Sequence, residues 1–166
     1  MTITTTIAAM KTALQSINPT PQSAPAAVYA FPADIDSIAY NNDMVFEVMP
    51  EAVIVVSEYI AGEQVVSREG AVDVLTWEME ILIFLAPGFY KDAHAAAAVE
   101  ALMPGWLEGY NAVLRANKRL GGEIIAFGNV DGTGQLFRVP RKGHMSWNGK
   151  EYWGIPILQP VSTVIT

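Results

Sequence analysis

The 166-residue chain contains no cysteine and only two histidines. It therefore has neither a disulfide framework nor a cysteine-rich metal site, and nothing in it requires an oxidising compartment. Basic residues are also scarce, since 10 lysines and arginines stand against 17 aspartates and glutamates and the net charge is −7. Because such a surface repels phosphate backbones, we do not expect sequence-specific binding to nucleic acid.

Long apolar runs are missing as well. The longest, ILIFLA and AAAAV, are far shorter than the ~20 residues that cross a bilayer as a helix. The amino terminus, MTITTTIAAMKTALQSI, lacks the charged start, the unbroken apolar core and the cleavage site of a signal peptide. We therefore expect no contact with a membrane and no export. The length and the 51% hydrophobic content predict a single domain over residues 1–166.

Residues suited to catalysis or metal binding are few. No serine stands in a GxSxG context, and His94 and His144 lie on separate predicted elements without metal-ligand spacing. The glycine-rich segment GNVDGTG (128–134) lacks the later glutamate of a calcium loop and the GKS ending of a phosphate-binding loop, so it predicts a turn. The sequence thus predicts no catalytic residue, no cofactor and no metal site.

The amino-terminal segment has a helical stripe. Its apolar residues recur at intervals of three and four, which places them on one side of an α-helix: Ile3, Ile7, Met10, Leu14 and Ile17. Asn18-Pro19 ends this helix, because the residue before proline avoids helical backbone angles. Residues 18–26 predict a connector and residues 27–31 a short strand. Between Pro32 and Pro50 we expect a loop that docks on another surface, such as a neighbouring copy.

The middle of the chain predicts long strands. EAVIVVSEYI (51–60) is a β-branched run, and VDVLTWEMEILIFLA (72–86) is the longest strand candidate. One face of this long strand is apolar throughout: Leu75, Trp77, Met79, Ile81, Ile83 and Leu85.

The opposite face of the long strand changes character along its length. Glu78 and Glu80 are about 7 Å apart at ~3.4 Å per residue, a separation that paired catalytic carboxylates also use. Alternating acids are nevertheless typical of a solvated strand face, and we expect that role for them. Beyond them the face turns apolar at Leu82 and Phe84. We expect this half to be covered by a helix on one side and by another element or subunit on the other.

The last 80 residues predict a helical pair and a meander. Helix formers run from about residue 90 to Met103, Pro104-Gly105 breaks the pattern, and a second helical stretch follows to about Asn117. A single kinked helix is the alternative. Strands are predicted in EIIAFGNV, QLFRVPR and YWGIPILQPVSTVI, the last entered through an Asn148-Gly149 turn. The predicted fold is α+β, a mainly antiparallel sheet packed by the amino-terminal helix and the central helical pair.

Aromatic residues flank the Asn-Gly turn. Tyr152 and Trp153 are adjacent, so on a strand they face opposite sides, and we expect one of them to lie outside the core. Together with Trp147, Leu82 and Phe84, they are the candidate interface residues. The alternative is that the outward ring packs against a covering helix of the same chain.

The layout resembles the small tail-terminator and neck proteins of long-tailed bacteriophages. The matching features are the amino-terminal helix ITTTIAAMKTALQSI, the central strand and helix LTWEMEILIFLAPGFYKDAHAAAAVEAL, and the closing strand NGKEYWGIPILQPV. The resemblance covers nearly the whole chain. It implies a structural virion protein without reaction chemistry, a homohexameric ring that caps the tail tube and offers the joining surface for the head.

The resemblance also implies partners and a location. These are further copies of the chain, the tail-tube protein, a head-completion or connector protein, and DNA that passes through the lumen unbound, in a virion assembled in the host cytoplasm. Glu78 and Glu80 would face the lumen. The acidic excess suits this, because it repels passing DNA. Two alternatives stay open: another neck or tail-tube component, and a small-ligand-binding α+β domain.

Overall fold

The computed structural model describes residues 2–31, 33–34, 49–67, 70–88, 91–128, 136–140 and 143–164, with the backbone alone described for 58–67 and 70–72. These residues form helix α1 (Ile3–Leu14), strands β1 (Ala27–Ala30), β2 (Glu51–Ser67) and β3 (Gly70–Pro87), helix α2 (Ala93–Ala116), a 3₁₀ turn (Leu120–Gly122), and strands β4 (Ala126–Phe127), β5 (His144–Trp147) and β6 (Lys150–Val164). The fold is α+β, as the sequence predicts.

The strands form one six-stranded sheet in the order β1-β2-β3-β6-β4, and β5 also pairs with β6. All of these pairs are antiparallel except β1 with β2, which are parallel. The sheet is therefore mixed, although mainly antiparallel. Parallel neighbours require a crossover connection. Most of that connection, for which the sequence predicted a docked loop, lies outside the described residues.

Helix α1 begins at a capping box. Thr2 is the N-cap, its hydroxyl accepts a hydrogen bond from the Thr5 backbone N–H at 3.2 Å, and the Thr5 hydroxyl accepts one from the Thr2 backbone N–H. These bonds satisfy amide groups that would otherwise lack partners at the helix start. Ile7, Met10 and Leu14 are buried against the sheet. The predicted amphipathic helix is therefore present, but it ends at Leu14 instead of the predicted stop at Asn18-Pro19, and Ile17 is buried beyond its end.

The predicted central helical pair is a single helix, α2, with Pro104 inside it. The predicted break at Pro104-Gly105 is absent, and the alternative of a single helix is confirmed. A proline in a helix interior costs about 3 kcal/mol, but fully burying each large apolar side chain stabilises by about 1.5–3 kcal/mol. The turns after Pro104 bury both Trp106 and Tyr110. Continuing the helix is thus favourable in this fold.

Glycines let α2 approach the connector that follows α1. A Cβ on Gly105 would overlap the carbonyl oxygen of Thr20, and a Cβ on Gly109 would lie 3.1 Å from the Asn18 carbonyl oxygen. The alanines at the start of α2, at 93 and 95–98, are exposed or half-buried, so close packing of this helix is found at its glycines.

The sheet has a core on each face. The helix-side core lies between the sheet and the two helices and contains the predicted apolar face of β3, with Leu75 and Leu85 at its margin. The outer core lies on the opposite face and is built on Val53, Leu82, Phe84, Met145 and Tyr152. The second half of β3 is therefore covered on both sides, and the described cover on the outer side comes from the same chain.

The carboxyl-terminal hairpin forms as the sequence predicts. Strands β5 and β6 pair across the turn from Trp147 to Lys150, and Asn148 and Gly149 have φ of 49° and 78°. These left-handed angles are those of a type I′ turn. The two preceding strand predictions were too long, because the described residues there contain only β4 and a single bridge between Arg138 and Leu158. Residues 129–134 of the predicted GNVDGTG turn lie outside the described part.

Candidate interaction surfaces

Tyr152 and its neighbours form an aromatic cluster in the outer core. Its ring meets Phe84 edge-on at 5.1 Å between centroids, and the Trp147 ring contacts Phe84 at 6.3 Å and Phe31 at 5.9 Å. Edge-to-face pairs at these separations add to the stability that burial provides. Tyr152 and Phe84 are fully buried and Leu82 is 5% exposed. These three predicted interface residues are therefore core residues of the subunit, and only Trp147 is half-buried.

Trp153 lies on the opposite side of β6 and is 7% exposed. Its ring meets the His144 ring edge-on at 5.4 Å. A Cβ on Gly143 would lie 3.3 Å from both the Trp153 ring and the Val99 side chain, so the ring lies beside the first half of α2. Of the two alternatives that the sequence left open for the outward ring, the structure confirms cover within the same chain. The hairpin and the side of α2 bury Trp153.

Glu78 is buried beneath Arg138 and does not face solvent. Its Oε2 atom lies 3.3 Å from the Arg138 Nη2 atom, and 4% of the Glu78 side chain is exposed. The Arg138 backbone forms an isolated β-bridge with Leu158 on β6. From this position the Arg138 guanidinium extends across β6 to the Glu78 carboxylate on β3. The solvated strand face predicted for Glu78 is therefore wrong, whereas its lumen-facing role in a ring stays a prediction. Glu80 is half-buried.

A second buried carboxylate, Glu51, lies at the start of β2 and is 2% exposed. The Tyr29 hydroxyl donates a hydrogen bond to its Oε1 atom at 3.5 Å. Burial, and next the charge of Glu51, raise the pKa of the Tyr29 phenol. Tyr29 therefore stays protonated and continues to donate to the carboxylate.

The two histidines lie on different elements. His94 is exposed in the first turn of α2, and His144 packs on Trp153 with its Nε2 atom 3.7 Å from a Glu151 carboxylate oxygen. Among the described residues, no three histidine or acidic side chains come together as a metal site would require. Within that part of the chain, neither histidine therefore has the additional ligands that a metal site requires.

An open groove of about 310 Å³ lies between the end of α2 and β4. Its lining combines apolar and cationic side chains: Leu114, Ile125, Ala126, Phe127, Leu136, Arg115, Lys118 and Arg119. The three cations are exposed. Leu136 is 40% exposed, and among the described residues it is the one large apolar side chain that is exposed. The sequence does not predict this groove, because no local pattern indicates that β4 and residue 136 lie beside the end of α2.

Among the described residues, the outer edge of β2 has a strand partner only at its beginning. Strand β1 pairs only with Glu51 to Ile54, whereas β2 continues to Ser67. Within the described ranges, residues 55–67 therefore have a strand partner on the β3 side alone. An open strand edge presents backbone N–H and C=O groups that can pair with another chain.

No helix in the described part of the chain is both long and apolar enough to cross a membrane. No family model matches the sequence, and comparison with curated proteins finds no match.

Proposed function

We propose that the chain is a structural subunit of a bacteriophage tail, which assembles into a homohexameric ring, caps the tail tube at its end and joins it to the head. The order of elements supports this proposal. An amphipathic helix (α1), a long central strand followed by a helix (β3 and α2) and a long closing strand (β6) occur in the order that the resemblance implies.

The observation that carries the proposal is the open edge of β2. A ring subunit needs two different contact surfaces, since each copy meets one neighbour on each side. An exposed strand edge is a common contact surface, and a monomer usually protects such an edge by a charge, a bulge or a cover. The edge has two register shifts of this protective kind, between Val56 and Glu58 and between Tyr59 and Ala61, but its pairing with β3 is regular from Ala61 to Ser67. That regular stretch is the part of the edge that supports the proposal.

The charge of the chain suits a ring through which DNA passes. At −7, its surface repels the phosphate backbone and lets it slide without binding. In this proposal the subunit performs no reaction, its partners are the tail-tube protein and a head-completion or connector protein, and it resides in the virion. Glu78, one of the two acids whose spacing suits paired catalytic carboxylates, is paired with Arg138.

The groove beside β4 favours a second candidate, a small-ligand-binding α+β domain. Its volume of about 310 Å³ lies at the lower end of the range of ligand sites. A monomer that binds a small anionic, partly apolar molecule would fit that function. The assembly state separates the two candidates.

The test is the mass of the purified chain in solution, measured by sedimentation velocity over a hundredfold range of concentration, together with negative-stain images. We expect a six-fold ring with an open centre. A twelve-fold ring would instead indicate a head-closing connector. A monomer at every concentration would reject the proposal and favour the ligand-binding domain.

A further inference from the structure

The groove beside β4 is cationic in an otherwise acidic chain. Three of the ten basic residues of the chain, Arg115, Lys118 and Arg119, line it, and no aspartate or glutamate is among its described lining residues. All three cations are exposed. Within the part of the chain that the structure describes, none of them forms an ion pair. Their charge is therefore available to an anionic group from outside the subunit.

The end of helix α2 accounts for only one of these cations. A cation in the last turn stabilises a helix, and Arg115 has that position. Asn117 caps the helix, because its backbone N–H and its side-chain amide both donate to the Val113 carbonyl oxygen, at 3.0 and 2.9 Å. Lys118 and Arg119 follow this cap. Among the described residues, neither of their side chains donates a hydrogen bond to the helix end.

Leu136 presents an apolar side chain within the cationic groove. Its carbonyl oxygen accepts a hydrogen bond from the Nε2 atom of buried Gln159 at 2.7 Å, and the adjacent ring of Phe137 meets the buried Tyr110 ring edge-on at 5.0 Å. These contacts hold the backbone against the core. The Leu136 side chain nevertheless stays exposed in the groove, beside half-buried Phe127. Apolar surface rimmed by charged residues is typical of an interaction site.

The shape of the groove favours a segment of a larger molecule as its occupant. Sites for small molecules usually bury about 70–90% of the ligand surface, whereas this groove is open and has a volume of only about 310 Å³. A peptide segment needs only to place one apolar side chain on the groove floor and carboxylates beside the cations. Nucleic acid is a poorer match, because the net charge of −7 repels a phosphate backbone.

We propose that the groove beside β4 binds an acidic peptide segment of another protein, one in which carboxylates flank an apolar side chain. The apolar side chain contacts Leu136 and Phe127, and the carboxylates pair with Arg115, Lys118 and Arg119. Charge complementarity argues for this occupant, since opposite charges speed the encounter and fix the orientation of the partner. A single subunit supplies the described lining of the groove. The site therefore goes beyond the ring that we propose as the function and does not depend on it.

Fluorescence anisotropy tests the site with a short labelled peptide in which a leucine has two glutamates on each side. One control peptide carries glutamines in place of the glutamates, and a second carries a serine in place of the leucine. We expect the parent to bind the acidic leucine peptide about fivefold or more tightly than either control peptide, because each control lacks one kind of contact. Added salt should weaken binding of the acidic leucine peptide.

Variants of the groove identify the contacts. Lys118→Gln with Arg119→Gln should weaken binding of the acidic leucine peptide by about tenfold and remove most of its advantage over the glutamine peptide. Leu136→Ser should instead remove the advantage of leucine over serine. The matched control, Lys91→Gln with Lys150→Gln, changes the net charge equally at exposed positions and should bind like the parent. Circular dichroism and the thermal midpoint establish folding. Lys118→Gln alone, with about a threefold loss expected, replaces a double variant that unfolds.

Several outcomes would overturn the peptide site. Equal binding of the three peptides by the parent would do so, as would unchanged preferences in the groove variants. Tighter binding of octanoate or of an oligothymidine of equal charge would indicate a small ligand or nucleic acid instead. A raised concentration for half-assembly in the Lys118–Arg119 variant would indicate a second copy as the occupant. Sedimentation of the parent tests the ring separately, because a monomer that binds the peptide rejects the ring and leaves this site intact.

Discussion

Arg138 and Glu78 form an ion pair of unequal exposure. Their closest atoms are 3.3 Å apart, and 53% of the arginine side chain but only 4% of the glutamate side chain is exposed. The arginine therefore compensates a carboxylate that has lost most of its hydration, while its own charge stays partly in water. Removing the cation leaves a buried carboxylate without this partner, which destabilises a fold more than losing an exposed pair does.

We expect Arg138→Met to lower the free energy of unfolding by about 1–2 kcal/mol, less than for a fully buried pair because Arg138 is half in water. Adding Glu78→Gln should recover most of that loss, since the uncompensated charge is then gone. Urea denaturation of the two variants measures both values. Lys91→Met, at an exposed position, is the control, and an equal loss in this control would contradict the role of the pair.

The adjacent aromatics of the last hairpin should both behave as core residues. Tyr152→Ala and Trp153→Ala are each expected to cost about 3–5 kcal/mol, the usual cost of truncating a buried aromatic side chain. Thermal and urea unfolding measure these losses. A Trp153→Ala variant as stable as the parent would mean that the ring contributes little to the subunit, in conflict with its 7% exposure.

Gly105 is where α2 meets the Thr20 carbonyl. An alanine in a helix normally stabilises it by about 1 kcal/mol relative to glycine, but a Cβ here overlaps a backbone oxygen that cannot move aside cheaply. We therefore expect Gly105→Ala to destabilise the fold by about 1–3 kcal/mol. Ala97→Gly, at an exposed site of the same helix, is the control and should cost about 1 kcal/mol. Stabilisation by Gly105→Ala would show that the connector adapts.

The Lys11–Asp34 pair predicts a pH dependence. The Lys11 Nζ atom lies 2.6 Å from the Asp34 Oδ2 atom, and the Ala30 backbone N–H donates to the same oxygen at 2.7 Å. Burial raises the pKa of Asp34, but the hydrogen bonds from Lys11 and Ala30 together with the Lys11 charge outweigh it and hold the pKa below its ordinary value. The stability that this carboxylate adds is thus complete above about pH 4 and declines as the pH falls further.

Lys11→Met should therefore cost up to about 1 kcal/mol near pH 7, because both side chains are partly exposed. The difference from the parent should shrink as the pH falls below about 4, because the carboxylate of the parent then becomes protonated as well. Urea titrations at several pH values measure it. A difference that grew in acid would reverse the assigned sign. Thr12→Val, at an exposed position of the same helix, controls for general effects on α1.

Local patterns determined much of this fold. The stripe from Ile3 to Leu14, the apolar face of β3 and the Asn148-Gly149 turn were all predictable, because helix and strand periods and left-handed backbone angles are properties of neighbouring residues. The α+β class followed from the order of these elements. The function that the sequence suggested stays a proposal, since it rests on element order rather than on a motif.

Tertiary structure alone decided what covers each residue. The position of Arg138 beside β6 made Glu78 a buried partner instead of a solvated acid. Phe84 and the rest of the outer core cover Tyr152, while His144 and the side of α2 cover Trp153, although adjacent strand residues must face opposite ways. The groove likewise joins the end of α2 to β4 and residue 136, which are distant in sequence. Alternation along a strand fixes which face a side chain takes, whereas the cover on that face comes from residues far away in the chain.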